Sequence, residues 1–313
     1  MQPPYAHVKT ALMNKMKIGI LGYGNQGRAQ ALNLSDSGFE VCIGLRNQST
    51  SIKLARKDGF HIFSLRKLAS HCDILMFLTP DETHAEIFHE CFPSLQRNQS
   101  HPLPTLGFSH SYSFIFGNLV IPKNFKYFLV APKATGQALR QSYISGGVPT
   151  AVCWSHKSIK TLPFTYAKAL GCSKNYIFYA DFKEEVISNL FSEQALLPGG
   201  IYELLKHGYE TMIENGISPT MAYYESFHKL KFMADILLDK GSRGMFEAIS
   251  PIASYGALSH GSFVCNTNLK KRMKKILEDI QKSKFSKEWE NEVKNAKEKL
   301  ARIDSSLFKK VGV

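Results

Sequence analysis

The stretch Met16–Gly27, MKIGILGYGNQG, constrains this 313-residue chain more than any other. A short apolar run, Met16–Leu21, ends in Gly22-Tyr23-Gly24-Asn25-Gln26-Gly27, and a helical pattern, RAQALNLSDSG, follows. Between a strand and a helix each glycine has a task of its own. The first permits the tight turn, the second lets the main chain approach a pyrophosphate, and the third lets helix pack on strand. Phosphate oxygens would then face the helix N-terminus, where free N–H groups and the helix dipole favour negative charge. The segment predicts a dinucleotide site with Gly22, Tyr23, Gly24, Asn25, Gln26 and Gly27 at the cofactor.

Cofactor choice is made at the end of the second strand, Phe39–Leu45. A carboxylate there would bind the ribose 2′-hydroxyl of NAD. The stretch Gly44–Ser51, GLRNQSTS, holds none. Arg46 offers a charged fork and Ser49 and Ser51 offer hydroxyls, a set suited to a 2′-phosphate. NADPH is the expected cofactor.

Further strands are predicted at Ile74–Leu78, Thr105–Phe108, Tyr127–Val130 and Thr150–Trp154, with helical patterns such as Ser51–Asp58 and Thr83–Cys91 between them. Strands alternating with helices predict a doubly wound parallel sheet, an α/β Rossmann domain. After about Ala180 the texture changes to long amphipathic segments: Glu184–Leu196, Gly200–Asn215, Pro219–Leu238 and Leu269–Lys282. Three parts are expected: an N-terminal extension at 1–15, a cofactor domain at 16–181 and an all-helical domain at 182–313. At 44% hydrophobic and 21% charged residues the chain is globular in character.

Composition also excludes several classes. There is no run of eighteen apolar residues, so no membrane span is expected. The first fifteen residues lack the apolar core of a secretory signal, and the expected location is cytoplasmic. The six cysteines form no C-x-x-C pair, and they read as free buried thiols without zinc or a disulfide framework. The formal net charge is +13, and Lys270–Val313 carries 14 Lys/Arg against 7 Asp/Glu. There the charges alternate in sign along a helical pattern, as on a solvated helix, so nucleic acid is not an expected partner.

The segments GYGNQGRAQALNLSDSG, LTPDETH, FSHSYSFIFG, FKEEVISNLFSEQALLPGG, MAYYESFHKLK and GMFEAISPIASYG carry a resemblance. Together with others in register from about Lys17 to Trp289, they resemble the short-form ketol-acid reductoisomerases. That resemblance implies a Rossmann domain followed by a knotted, all-helical C-terminal domain. It also implies a homodimer with active sites between subunits and a small-molecule substrate, a 2-acetohydroxy acid of branched-chain amino-acid biosynthesis. It places His110 and Lys133 at the positions of the family's active-site histidine and lysine. It sets Pro80 and Asp81 in the loop beside the nicotinamide, and Ser250 at the serine that touches substrate. Ala134, Thr135, Gln137 and Pro251 depart from the usual pattern.

The metal positions depart furthest. The family holds two magnesium ions with an Asp and a Glu one turn apart on one helix and two Glu at the same spacing on another. Here those positions read Asn189 and Glu193, then Glu225 and Lys229. Four carboxylates have become two plus a lysine, which leaves Glu193 and Glu225 as the remaining metal-type ligands. Magnesium relies on carboxylate charge and near-octahedral oxygens, so two ions are not expected to bind. The main expectation is an NADPH-dependent reductase of a 2-keto acid or imine, its metal-dependent alkyl migration lost. In it Lys229 supplies positive charge and Glu193 or Glu225 acts as acid or base. The alternatives are a genuine magnesium-dependent ketol-acid reductoisomerase and a non-catalytic cofactor-binding relative.

Overall fold

The protein is described from a computed structural model at residues 16–93, 102–173 and 176–292, together with 295 and 298. The expected N-terminal extension lies outside those residues. The chain forms two compact units that divide between Val186 and Ile187.

The first unit runs β1 (Lys17–Leu21), α1 (Asn25–Asp36), β2 (Glu40–Gly44), α2 (Ile52–Lys57), β3 (His61–Phe63), α3 (Leu65–His71), β4 (Ile74–Phe77) and α4 (His84–Cys91). It continues with β5 (Thr105–Phe108), α5 (Tyr112–Ile115), β6 (Tyr127–Pro132), α6 (Gly136–Gln141), β7 (Thr150–Trp154), α7 (Leu162–Ala169) and β8 (Ile177–Tyr179). The strands form one sheet in the order β3-β2-β1-β4-β5-β6-β7-β8. Ile20 pairs with Ile43 on one side and Met76 on the other. Both faces are covered, which is why the central strands are nearly continuous apolar runs. Ile18, Ile20, Ile43, Met76 and Phe128 fill one face, and Leu21, Leu75, Phe77, Leu106 and Leu129 fill the other.

The sheet is parallel, as expected, at every pair but one. β6 and β7 are antiparallel, with Val130 opposite Val152. The reason lies in their connection. α6 stays at the carboxyl end of β6 and packs on α1, where a side chain at Gly136 would meet the Asn25 carbonyl. Gly146 and Gly147, at φ of 100° and 72°, then turn the chain back so that Thr150 starts beside Pro132. β3 and β8 have three residues each, too short for their alternation to be read from sequence.

α8 (Phe182–Phe191) carries the chain into the second unit, where no strand occurs among the described residues. A π-helical segment at Ser192–Ile201 contains Pro198, and α9 (Tyr202–Glu214) follows it. The single helix expected over Pro219–Leu238 is divided into α10 (Pro219–Tyr223), a π-turn at Tyr224–His228 and α11 (Lys229–Glu247). α11 is itself interrupted at Gly241, whose φ is 68°. α12 (Pro251–Val264), which the periodicity did not announce, is mostly apolar, with Ser254, Ser259, His260 and Ser262 as its polar residues. α13 (Thr267–Gln281) and α14 (Lys284–Glu292) complete the unit. Neither α11 nor α12 buries a residue.

Candidate active site

A cleft of about 620 Å³ opens at the carboxyl ends of β1, β2 and β4, where open α/β sheets hold ligands. Gly22 makes the turn at φ 96°, and its N–H donates to the Gly44 carbonyl at 3.1 Å. A Cβ on Gly27 would stand 2.5 Å from the Gly22 oxygen, so only glycine lets α1 start this close to β1. Gly24 lines the cleft, and a Cβ there would meet no protein atom within 4 Å. It caps α1 without any side-chain hydrogen bond. The first turn of α1 thus faces open space bounded by main chain, a cradle that fits a pyrophosphate.

Of the residues expected at the cofactor, Gly22, Tyr23, Gly24, Arg46, Ser49, Ser51 and Pro80 line the cleft. Tyr23 is fastened from behind: its hydroxyl donates to Asp58 Oδ2 at 2.8 Å, and Arg28 Nε reaches the same oxygen at 2.7 Å. Burial and the Asp58 charge hold the phenol far above its ordinary range, so it stays neutral. Asn25, Gln26, Gly27 and Asp81 are not among the lining residues. Gln26 Nε2 donates to the Ala134 carbonyl at 2.9 Å, tying the loop to the chain after β6. Arg46 Nη2 pairs with Glu86 Oε2 of α4 at 2.9 Å, a partner that no sequence pattern had flagged.

The loop after β4 meets the loop after β5. Asp81 Oδ2 lies 3.3 Å from His110 Nδ1, so the imidazole presents a protonated Nδ1 to the carboxylate. Between the two loops sits buried His84. Its Nε2 is 2.9 Å from the Thr79 carbonyl and must donate, which leaves Nδ1 to accept from the Ser113 hydroxyl, also at 2.9 Å. Burial lowers the His84 pKa and favours that neutral tautomer.

Lys133 follows β6 and donates from Nζ to Glu185 Oε1 at 2.6 Å. Glu185, in the first turn of α8, is 2% exposed. Its other oxygen is 3.3 Å from Ser111 Oγ, which is 2.6 Å from the Phe182 carbonyl. Glu185 therefore ties Lys133 to the segment that carries His110. Sequence reading passed over it because nothing in the adjacent pair Glu184-Glu185 says which carboxylate faces inward.

Glu193, Glu225, Lys229 and Ser250 lie in the second unit. Lys229 Nζ donates to Glu225 Oε2 at 2.7 Å, so the i, i+4 spacing does put both on one helix face. The pairing also gives Glu225 a cation from its own helix. With a neutral Asn189 and the Lys229 ammonium at the other positions, these residues do not fit a pair of magnesium ions. Ser250 caps α12, its Oγ accepting from the Ala253 N–H at 3.3 Å. Tyr223 is buried against Phe227, and the His228 ring packs beside those of Tyr224 and Phe232. Five of the cysteines are buried and free as expected, whereas Cys265 is exposed at the end of α12. Glu40, Cys42 and His71 come together at the far end of the sheet, but Lys17 Nζ, 3.4 Å from His71 and 3.5 Å from Glu40, already places a cation there. Among the described residues no helix is long and apolar enough to cross a membrane.

Two family profiles match the chain: the NADPH-binding domain of acetohydroxy acid isomeroreductase over residues 12–175, and the C-terminal domain of ketol-acid reductoisomerase over 182–313. A Petrotoga mobilis protein named ketol-acid reductoisomerase (NADP(+)) is 39% identical over 284 residues, 89% of this chain and 84% of the relative. A Methanococcus maripaludis protein of the same name is 38% identical over 307 residues, covering 96% and 92%. The structure of an NADH-preferring ketol-acid reductoisomerase from an uncultured archaeon superposes with a TM-score of 0.89 at 32% identity, covering 96% of this chain and 94% of that one. Plasmodium falciparum pyrroline carboxylate reductase, at 16% identity and a TM-score of 0.56, shares the fold alone; 88% of this chain and 99% of that one are covered.

Proposed function

The chain belongs to the ketol-acid reductoisomerase family, and from that premise we propose that it is an NADP-dependent oxidoreductase acting on a small ketol acid. The supporting observation is the pairing of near-full-length similarity to proteins named ketol-acid reductoisomerase (NADP(+)) with a cleft whose glycine loop and Arg46 suit NADPH. When bound, NADPH supplies hydride to the C2 carbonyl of the substrate. Around that step the chain's own residues have separable tasks. His110, its Nδ1–H held by Asp81, gives the Nε2 proton of its imidazolium form to the developing alkoxide and is left neutral. Lys133, held by Glu185, places positive charge beside the same oxygen.

The relatives favour the complete reaction, alkyl migration within a 2-acetohydroxy acid followed by reduction, as in branched-chain amino-acid biosynthesis. One observation favours a narrower reading in which only reduction remains. The four metal positions hold Asn189, Glu193, Glu225 and Lys229, and Lys229 already engages Glu225. Migration asks for strong polarisation of neighbouring oxygens, whereas reduction of a keto group or an imine asks for less. In the narrower reading Lys229 supplies charge, Glu193 or Glu225 acts as acid or base, and Ser250 contacts substrate.

The working unit is a cytoplasmic homodimer with its active sites between subunits, its cofactor domain ending in sequence at residue 181 and its helical domain starting at 182. α11 and α12 support the dimer: they bury nothing of their own and expose Phe232, Ile252, Leu258 and Phe263. NADPH oxidation with 2-acetolactate and with 3-hydroxy-3-methyl-2-ketobutyrate, with and without magnesium, tests the proposal. Magnesium-dependent turnover of both establishes the complete reaction. Turnover of the second alone, without magnesium, establishes the narrower one. Cofactor binding without turnover of either, or of a cyclic imine, overturns the enzyme reading.

A further inference from the structure

Beside the cofactor cleft, paired with a residue that lines it, stands one group that the family resemblance does not assign. Glu86 lies on α4, between Thr83 just before the helix and Ile87 within it, and both of these line the cleft. Its Oε2 lies 2.9 Å from Arg46 Nη2, and both side chains are solvent-accessible, at 68% and 48%. In the stretch Gly44–Ser51 that bounds the ribose end, Arg46 is the one charged residue. Glu86 therefore occupies the cation on which recognition of a 2′-phosphate would depend.

We propose that Glu86 is a specificity-determining residue that narrows the preference for NADPH over NADH, an inference resting on the cofactor reading above. A 2′-phosphate carries a charge of about −1.5 to −2 near neutral pH. To be bound it must take the Arg46 fork from Glu86 and then sit close to the displaced carboxylate, a like-charge approach that costs affinity. A ribose 2′-hydroxyl meets the opposite situation. It can donate to the Glu86 carboxylate as it would to the acidic residue of an NAD site, and it leaves the ion pair intact. The two groups thus act against each other, Arg46 toward the phosphorylated cofactor and Glu86 toward the unphosphorylated one. An exposed ion pair is a weak restraint, so the pair can be exchanged at equilibrium.

The test is direct titration of the full chain with NADPH and with NADH, followed by calorimetry or ligand fluorescence, for the wild type, Arg46→Ala and Glu86→Gln. Glutamine keeps the size of the side chain at an exposed position, so the fold is not at stake. Arg46→Ala is expected to weaken NADPH selectively, which supports the cofactor reading; equal losses for both cofactors overturn that reading and the inference with it. Given the selective loss, Glu86→Gln should tighten NADPH by about three- to tenfold while NADH is unchanged or weaker. Equal shifts for both cofactors, or none, overturn the role of Glu86 and leave the reading of Arg46 standing.

Discussion

Arg46 and His84 show how far single side chains reach in this protein. Arg46 lines the cleft at the end of β2 and pairs with the rim carboxylate of Glu86. Arg46→Asp puts a negative charge where the 2′-phosphate would lie. It is expected to weaken NADPH by about a hundredfold and NADH by less than about threefold, read from dissociation constants at fixed salt. His84 works through its neutrality. Burial holds its pKa below the ordinary 6.5, so the unfolded chain takes up the proton more readily than the folded one. Its contribution to stability is therefore complete above about pH 6.5 and is lost as pH falls below that value. Thermal melts between pH 7.5 and 5 should show the midpoint falling on the acid side, and falling less in His84→Gln.

At the scale of elements, Gly24 and Gly27 sit three residues apart in the chain and do different work. Gly27→Ala forces a Cβ to within 2.5 Å of the Gly22 oxygen, so α1 must move off β1. The expected loss is about 1–3 kcal/mol of stability in denaturant melts, with weaker cofactor binding as a consequence. Gly24→Ala adds a methyl that meets no protein atom within 4 Å, so stability should hold while NADPH affinity falls. The helices of the second unit carry the matching test for charge. Asn189→Asp with Lys229→Glu restores four carboxylates and removes the 2.7 Å ion pair to Glu225. The double variant should bind magnesium by calorimetry and melt higher in its presence, whereas the wild type should do neither. A magnesium-dependent rise in the wild-type melt would sink the reading of a lost metal site.

For the molecule as a whole, the contrast between the two units is one of burial. The first fills both faces of its sheet with side chains such as Ile20, Phe77 and Phe108 that are at most 1% exposed. The second leaves Ile252 and Phe263 each 82% exposed on α12. Apolar surface on that scale is costly in water and marks a contact still to be made. A second copy is the proposed partner. Sedimentation should give a dimer, and Leu258→Glu with Phe263→Glu should shift it toward monomer while leaving the first unit's cofactor binding intact.

Features whose physical cause is local can be read from the residues alone. The spacing of Gly22, Gly24 and Gly27 states dihedral and contact requirements within one turn, and continuous apolar runs betray strands buried on both faces. The absence of a carboxylate after β2 is equally legible, as are the residues of two i, i+4 pairs, Asn189 with Glu193 and Glu225 with Lys229. The tertiary structure alone decided what depends on residues far apart in the chain. Glu185 reaches Lys133 across 52 residues, and Asp81 reaches His110 across 29. No period or motif records either meeting. The reversal of β7 followed from where α6 packs, and the pairing of Glu86 with Arg46 joins α4 to the loop after β2 across 40 residues. Local rules act through backbone geometry and leave a pattern in the residues. Contacts between distant segments are selected by packing, and they become visible only when the chain is folded.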